Sequence, residues 1–421
     1  MATNLTEEDL VSEEQVKSLD RGTFLKRAGA GAAVAGAATA FPQGVWAGIT
    51  KTSARKPLRI GNLLTLSGPT SSPSIDIKRG FAAYVKSRNG IGGRKIQFLD
   101  ADDGNNPAQA IQQVQKLQSD GVDVIEGIFY SSILLGVRDT IDQLKIPTVV
   151  ANAAANAIAR DRKSDYIFRT SYSNYQLGVP MGPWAQKKYG NSGVAAISAN
   201  YAAGQESAQA FQDGYEKAGG KLLTTILTPF PVTPDYQPYF QQAADKGAKA
   251  VWAFTAGGGE AIKFIKTYRQ FGFDKQFALF GNNNMLDPQS TLDAEGDAAV
   301  GLVTLANWAP TLKNKENKVF LKAYDRFSVG LPSAFAELGY VAAQFLDLAV
   351  RKVHGDTSNK ARLIQAMKTV GSWQSPGGKV SMDPNTHNIV IPVYLRQAVK
   401  SGGKYDEKLV ATLGVFKEPG A

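Results

Sequence analysis

The chain has 421 residues, 43% of them hydrophobic and 20% charged, with 42 Gly and 19 Pro, a length that suggests two lobes and a composition that excludes a disordered chain, a collagen-like rod and a membrane bundle. It has no cysteine and only two histidines, His354 and His387, so disulfides, thiolate metal sites and cysteine nucleophiles are ruled out, and neither histidine has a second ligand at a usable spacing. The formal charge of +10 comes from scattered lysines and arginines, the densest groups being interrupted by Asp161, Asn314 and Glu316, which describes a solvated basic face and not a nucleic-acid patch.

In chain order, the first segment reads as an export address. Arg21, Lys26 and Arg27 precede an apolar run from Ala28 to Phe41, and Val45 and Ala47 follow at the spacing of a signal-peptidase site. The run is shorter than the roughly 20 residues a spanning helix needs, so residues 1–47 are expected to be a cleaved signal peptide and the mature protein to work in the periplasm. The leader resembles a twin-arginine signal, except that its pair is Arg21-Gly22, which leaves the general secretory route open. Cleavage removes four basic and six acidic residues, making the mature chain more basic. Gly29, Gly31 and Gly36 imitate a dinucleotide fingerprint, but no strand precedes them.

From Leu58 onward, short β-branched or apolar runs alternate with amphipathic segments. The predicted order is a strand 58–66, a helix Phe81 to Arg88, a strand 95–103, a helix Ala108 to Ser119, and strands 122–129 and 146–151. Asn106 suits the cap of the second helix and Pro107 its first position. The alternation restarts with a strand 193–200, a helix Gln205 to Ala218, a strand 221–228, a helix Tyr236 to Lys246, a strand 250–255, a helix Glu260 to Phe271 and a strand 276–281. A strand 301–308, helices Lys315 to Phe327 and Ala334 to Val350, and a strand 387–399 close the chain. This is an α/β protein of two tandem lobes, each a parallel sheet flanked by helices.

Several short motifs stand in order along this frame. They are Leu66-Ser67-Gly68-Pro69 after the first strand, Asn89-Gly90-Ile91-Gly92-Gly93 before the second, Gly121-Val122-Asp123-Val124-Ile125 leading to Gly127, Tyr201 with Gly204, Pro234-Asp235-Tyr236 with Pro238-Tyr239, and Leu338-Gly339-Tyr340. In this order the chain from Leu58 to its C-terminus resembles the Leu/Ile/Val-binding family, the substrate-binding proteins of branched-chain amino-acid-type ABC transporters with the type I periplasmic binding fold. The resemblance implies a lobe of residues 57–172 plus 307–373, a second of 173–306 plus 374–421, and a hinge crossed several times. It also implies a monomer that closes over a small solute and delivers it to an inner-membrane ABC permease and its ATPase subunits, with no cofactor, no metal and no nucleic acid.

The same resemblance implies a ligand site. The loop Phe129-Tyr130-Ser131-Ser132 resembles the segment whose serine and amides hold the ligand carboxylate. The loop Ala151 to Asn156 resembles the one that holds ammonium and carboxylate, with Ala155 where a threonine is expected. Tyr201 matches the tyrosine that closes on the ligand. The loop Gly281-Asn282-Asn283-Asn284 matches the one carrying an acid for the ammonium, and Asn283 stands there instead. The expected ligand-binding set is Ser72, Tyr130, Ser131, Ser132, Ala153, Ala155, Tyr201, Gly258 and Asn283.

An ammonium desolvated in a closed cleft wants a carboxylate, and an asparagine offers only a dipole. Two ligand classes therefore stand side by side: a branched-chain or other amino acid or related carboxylate, with Asp102, Asp103 or Glu260 supplying the charge from a neighbouring loop, or an aromatic or short organic acid or amide. Helix N-termini can hold the carboxylate in either case. An enzyme is not expected, because no G-x-S-x-G elbow, nucleotide-triphosphate loop or oriented base is present. A sensory ligand-binding module would share the fold, and no signalling segment follows.

Overall fold

The computed structural model describes residues 56–68, 71–287, 291–327 and 330–421, and the expected leader lies outside them. Strand β1 (Leu58–Leu64) leads to helix α1 (Ser72–Arg88), β2 (Ile96–Asp102) to α2 (Pro107–Ser119), β3 (Val124–Gly127) to α3 (Ser131–Leu144), and β4 (Thr148–Val150) to β5 (Ile167–Arg169). Two short helices, α4 (Asn174–Gly178) and α5 (Met181–Tyr189), carry the chain to β6 (Val194–Ala199) and α6 (Ala202–Lys217). There follow β7 (Leu222–Thr228), α7 (Gln237–Asp245), β8 (Ala250–Phe254), α8 (Gly259–Gln270), β9 (Ala278–Asn282), α9 (Asp293–Glu295) and β10 (Val303–Ala306). The last part holds α10 (Lys315–Asp325), α11 (Ala334–Lys352), α12 (Lys360–Lys368), β11 (Ser372–Ser375), β12 (Gly378–Asp383), β13 (Asn388–Ser401) and β14 (Lys404–Phe416).

The strands run β2-β1-β3-β4-β5-β13-β10-β9-β8-β6-β7. The first five are parallel, and so are the last five. The two halves share one order, β2-β1-β3-β4-β5 and β7-β6-β8-β9-β10, so each reverses direction once, beside β1 and beside β6. Between them, β13 pairs antiparallel with β10 and meets β5 through the single pair Asn388 and Arg169.

Burial follows from this order. The inner strands β6 and β8 (VAAISA, AVWAF) are buried along their whole length, whereas the edge strands β2 and β7 keep exposed positions, as parallel sheets covered on both faces require. Helices α1 and α11 cross so closely that a Cβ on Gly80 would lie 1.8 Å from the Ala336 carbonyl oxygen, and one on Gly339 would lie 2.0 Å from that of Ile77. Two glycines facing each other are what let these helices touch backbone to backbone.

Some elements differ from expectation. Helix α1 starts at Ser72, nine residues before Phe81, because Pro73 opens its first turn and Pro73, Ile77 and Phe81 continue one buried face. The expected loop 129–132 gives way at Ser131 to the 14-residue helix α3, with Ile133, Leu134, Val137 and Ile141 turned inward. Beyond the expected strand 387–399, β14 returns antiparallel along β13, and β11 with β12 forms a hairpin against its start.

Candidate ligand-binding cleft

In open parallel sheets ligands sit beyond the strand C-termini where the strand order reverses. Here those points are the ends of β1 and β3 in the first half and of β6 and β8 in the second, and the helices that follow are α1, α3, α6 and α8. None of these four has a side chain hydrogen-bonded to its first turn. The helices α2, α4, α10, α11 and α12 are capped by Asn106, Ser173, Asn314, Ser333 and Asn359, and α5, α7 and α9, away from these ends, lack a cap as well. The uncapped first turns keep N–H donors and the positive end of the helix dipole for an anion.

A small, narrow cavity lies among these ends. Phe129, Ser131, Asn152, Ala154 and Tyr172 line it from the first half and the crossing segment, and Asn174, Tyr201, Ala203, Phe254, Asn282 and Asn284 complete the wall. Aromatic rings stack behind and within it. Tyr201 lies flat on Phe230 with centroids 4.0 Å apart, Tyr130 meets both rings edge-on, and Phe129 packs on Tyr130 at 4.8 Å. Among the described residues no Asp, Glu, Lys, Arg or His side chain lines the cavity.

Each polar group on the first-half wall is oriented by a neighbour. The Ser131 hydroxyl oxygen accepts from the Ala154 N–H at 3.2 Å, which leaves its own proton free to donate. The amide of Asn152 donates to the Phe129 carbonyl at 2.8 Å and accepts from the Tyr172 hydroxyl at 3.3 Å. From the other half, Asn283 donates to that hydroxyl at 2.9 Å, so a buried chain of three side chains crosses from one half to the other. The fully buried Arg169 guanidinium donates to the Ala155 carbonyl at 2.5 Å and makes a longer contact, 3.5 Å, to that of Ala153. Burial pulls its pKa down to about 10, which keeps it charged at neutral pH.

The expected site residues are distributed as follows. Ser131 and Tyr201 line the cavity, and Tyr130 packs against Tyr201. Ser132 is half-buried in the first turn of α3. Ala153 and Ala155 flank the lining residue Ala154, their carbonyls turned to Arg169. Asn283 binds Tyr172, and its neighbours Asn282 and Asn284 line the wall. Ser72 and Gly258 face each other at the mouths of α1 and α8. A Cβ on Gly258 would lie 3.6 Å from the Ser72 hydroxyl, and Gly258 has φ 54°, ψ −133°, a backbone conformation suited to glycine.

The three acids considered as ammonium partners are all engaged elsewhere. Glu260 accepts from the Thr233 N–H and the Tyr236 hydroxyl and pairs with Lys263 at 2.8 Å. Asp103 accepts from the Thr65 hydroxyl and Asn105 N–H, and Asp102 from the N–H groups of Leu66 and Gly104. Tyr172, Asn174, Phe254 and Arg169 were not singled out from the sequence. The only signal for Tyr172 was a polar-aromatic run, Ser171 to Tyr175, where the chain leaves β5.

Comparison with known proteins places these features in a family. Residues 57–404 match the model described as periplasmic binding protein. The Leu/Ile/Val-binding protein homolog 6 of Brucella melitensis is 29% identical over 370 residues, covering 86% of this chain and 93% of its own. An ABC transporter solute binding protein from R. palustris, solved in complex with benzoate, is 32% identical with a TM-score of 0.78, covering 85% of this chain and 96% of that one. An ABC transporter substrate-binding protein from Sphaerobacter thermophilus is 30% identical with a TM-score of 0.79, covering 85% and 98%.

Proposed function

The chain belongs to the periplasmic binding protein family, and we propose that the solute it captures for an ABC importer is a small aromatic carboxylate. The observation that carries this reading is the cavity wall: aromatic rings and uncapped helix N-termini, with no acidic side chain among the lining residues. An α-amino acid would bring an ammonium whose charge no acid among the described lining residues neutralises. The Ala155 carbonyl, at the loop expected to hold that ammonium, is taken by the Arg169 guanidinium. A carboxylate, in contrast, meets the Ser131 hydroxyl and the first-turn N–H groups of α3, where charge-assisted bonds are strongest. A ring attached to it would face the aromatic wall of Tyr201 and Phe254. The benzoate-bound relative supports the same class.

The lobes we assign are 57–172 plus 307–373 and 173–306 plus 374–421, so that the chain crosses the hinge between β5 and α4, after β10 and within β11. Among the described residues no helix is long and apolar enough to cross a membrane. Export with cleavage after Ala47 goes with this reading, and the intact mass of protein recovered from the periplasm checks it: a species retaining residues 1–47 contradicts it.

A thermal-shift screen of benzoates, aliphatic acids, amides and amino acids tests the ligand class. Binding at 100 times the dissociation constant stabilises by roughly 2.7 kcal/mol, enough to raise the melting temperature visibly. Benzoates are expected to stabilise and leucine to leave the protein unchanged. Stabilisation by leucine and not by any benzoate overturns the reading.

A further inference from the structure

We propose, resting on the reading that a solute is captured between the two halves, that Glu206 is a latch: a positioning residue that touches no ligand and sets how long the halves stay closed on one. Glu206 stands in the second turn of α6, in the second half, and is half-buried. Its Oε2 accepts from the Asn156 N–H at 2.7 Å, so the bond reaches across to the loop that follows β4 in the first half. The same oxygen accepts from the Asn174 side-chain amide at 2.7 Å. Asn156 in turn accepts through its Oδ1 from the Tyr175 N–H at 3.0 Å, and the Ser207 hydroxyl, next to Glu206 in the chain, donates to Asn174 at 3.0 Å. The loop, α4 and α6 are thereby fastened together beside the cavity. Asn174 lines that cavity and Glu206 does not.

The charge of Glu206 is met by these donors and by the Arg169 guanidinium, which is drawn to it electrostatically and holds the Ala155 carbonyl on the same loop. Hydrogen bonds to an ionised acceptor are roughly twice as strong as neutral ones. A bond between the halves exists only while the halves meet, so it favours the closed state and does nothing for the open one. Encounter of the solute with the open cleft precedes that bond and release must break it, so its effect falls on the dissociation rate. The loop that Glu206 holds also carries Ala154, whose N–H orients the Ser131 hydroxyl. The bond from Asn283 to Tyr172 joins the halves too, but it is neutral and involves a lining residue, so breaking it changes the wall. Removing the Glu206 carboxylate leaves the wall in place, with Asn174 still held by Ser207.

The chain has no cysteine, so a pair of introduced cysteines takes spin labels cleanly. Gln115→Cys on α2 and Gln242→Cys on α7 are exposed positions on the helices that follow β2 and β7, the strands at the two ends of the sheet order. Label distances are measured by double electron-electron resonance, without ligand and with benzoate, in the otherwise wild-type protein, Glu206→Ala and Glu206→Gln, and benzoate association and release are timed by stopped flow. In Glu206→Ala benzoate is expected to leave about tenfold faster, with association within about twofold of wild type. Without ligand, the population with short label distance is expected to be smaller in this variant. Glu206→Gln, which keeps the shape and an acceptor but no charge, is expected to lie between, and it serves alone if the alanine variant does not fold. The ratio of benzoate to cyclohexanecarboxylate affinity and the ligand-free melting temperature are expected to stay at their wild-type values. An unchanged dissociation rate overturns the latch, and so does a changed affinity ratio, which would make Glu206 part of the wall. If the wild type does not bind benzoate, the aromatic-carboxylate reading falls and the ligand-free label distances decide the latch: a smaller short-distance population in Glu206→Ala upholds it, and identical distributions overturn it.

Discussion

At the scale of single residues, Ser131 is the most exposed to test. Its oxygen is already held by the Ala154 N–H, so the hydroxyl proton is directed and the helix behind it adds a favourable dipole. Charge-assisted hydrogen bonds contribute roughly 1.5–3 kcal/mol, so Ser131→Ala is expected to weaken benzoate binding about tenfold or more in calorimetry. A change under about threefold would place the carboxylate elsewhere. The loops that form the wall were legible in the sequence, at 129–132, 151–156, 201 and 281–284, but the residue within each loop was less so. At 153–155 the cavity takes Ala154, between the two expected alanines, and at 281–284 it takes Asn282 and Asn284 around the expected Asn283. Residues 153–155 lie in irregular chain after β4 and 283–285 in a short 3-10 turn after β9, and a resemblance in loop position does not fix which side chain turns inward there. Tyr172 was hidden for a different reason: its role depends on Asn152 and Asn283, which are distant in sequence and become neighbours only when the halves are assembled.

Among the elements, what could be read in advance was the alternation of buried strands with amphipathic helices, because both periodicities are written in side-chain polarity. Helix α3 escaped because its N-terminal serines look like loop residues and no capping side chain marks its start. The β13 and β14 pair escaped in half because β14 is an edge strand whose pattern leaves positions such as Val410 and Val415 exposed. The contact between α1 and α11 carries its own prediction. Since a methyl on Gly80 would collide with the Ala336 backbone, Gly80→Ala is expected to destabilise the protein by about 1–3 kcal/mol or more in urea unfolding, the range for overpacking a fitted interface. An unchanged unfolding midpoint would mean that the helices are not in backbone contact.

For the whole molecule, buried ionisable groups set how stability depends on pH. Glu126 is fully buried in β3, and neither of its carboxylate oxygens has a hydrogen-bond partner among the described residues. Burial first, and the nearby Asp100 second, push it up to about 8. Glu337 is also pushed up to about 8 by burial, against the hydrogen bond it accepts from Asn307. In the unfolded chain both would ionise near 4.5. Their contribution to stability is therefore full below that value and is lost as pH rises through about 8. His387 acts with the opposite sign. It is stacked on Phe168 at 4.4 Å and burial pulls it down to about 4, so its contribution is full above its unfolded value of 6.5 and is lost as pH falls through 4. The melting temperature is thus expected to fall on going from about pH 6.5 to about pH 8.5, and Glu126→Gln to flatten that fall. A wild-type melting temperature that stays level or rises over the window would contradict it.

The central claim is that an aromatic carboxylate is held between the two halves with its charge on a helix N-terminus and no acid facing it. The measurement that reaches it most directly is a crystal structure of the protein with the tightest-binding benzoate of the screen. The predicted result is a carboxylate within hydrogen-bonding distance of the Ser131 hydroxyl and the first-turn N–H groups of α3, with the ring against Tyr201 and Phe254. A carboxylate directed instead at Asn282, or a ligand seated outside this cavity, would contradict it.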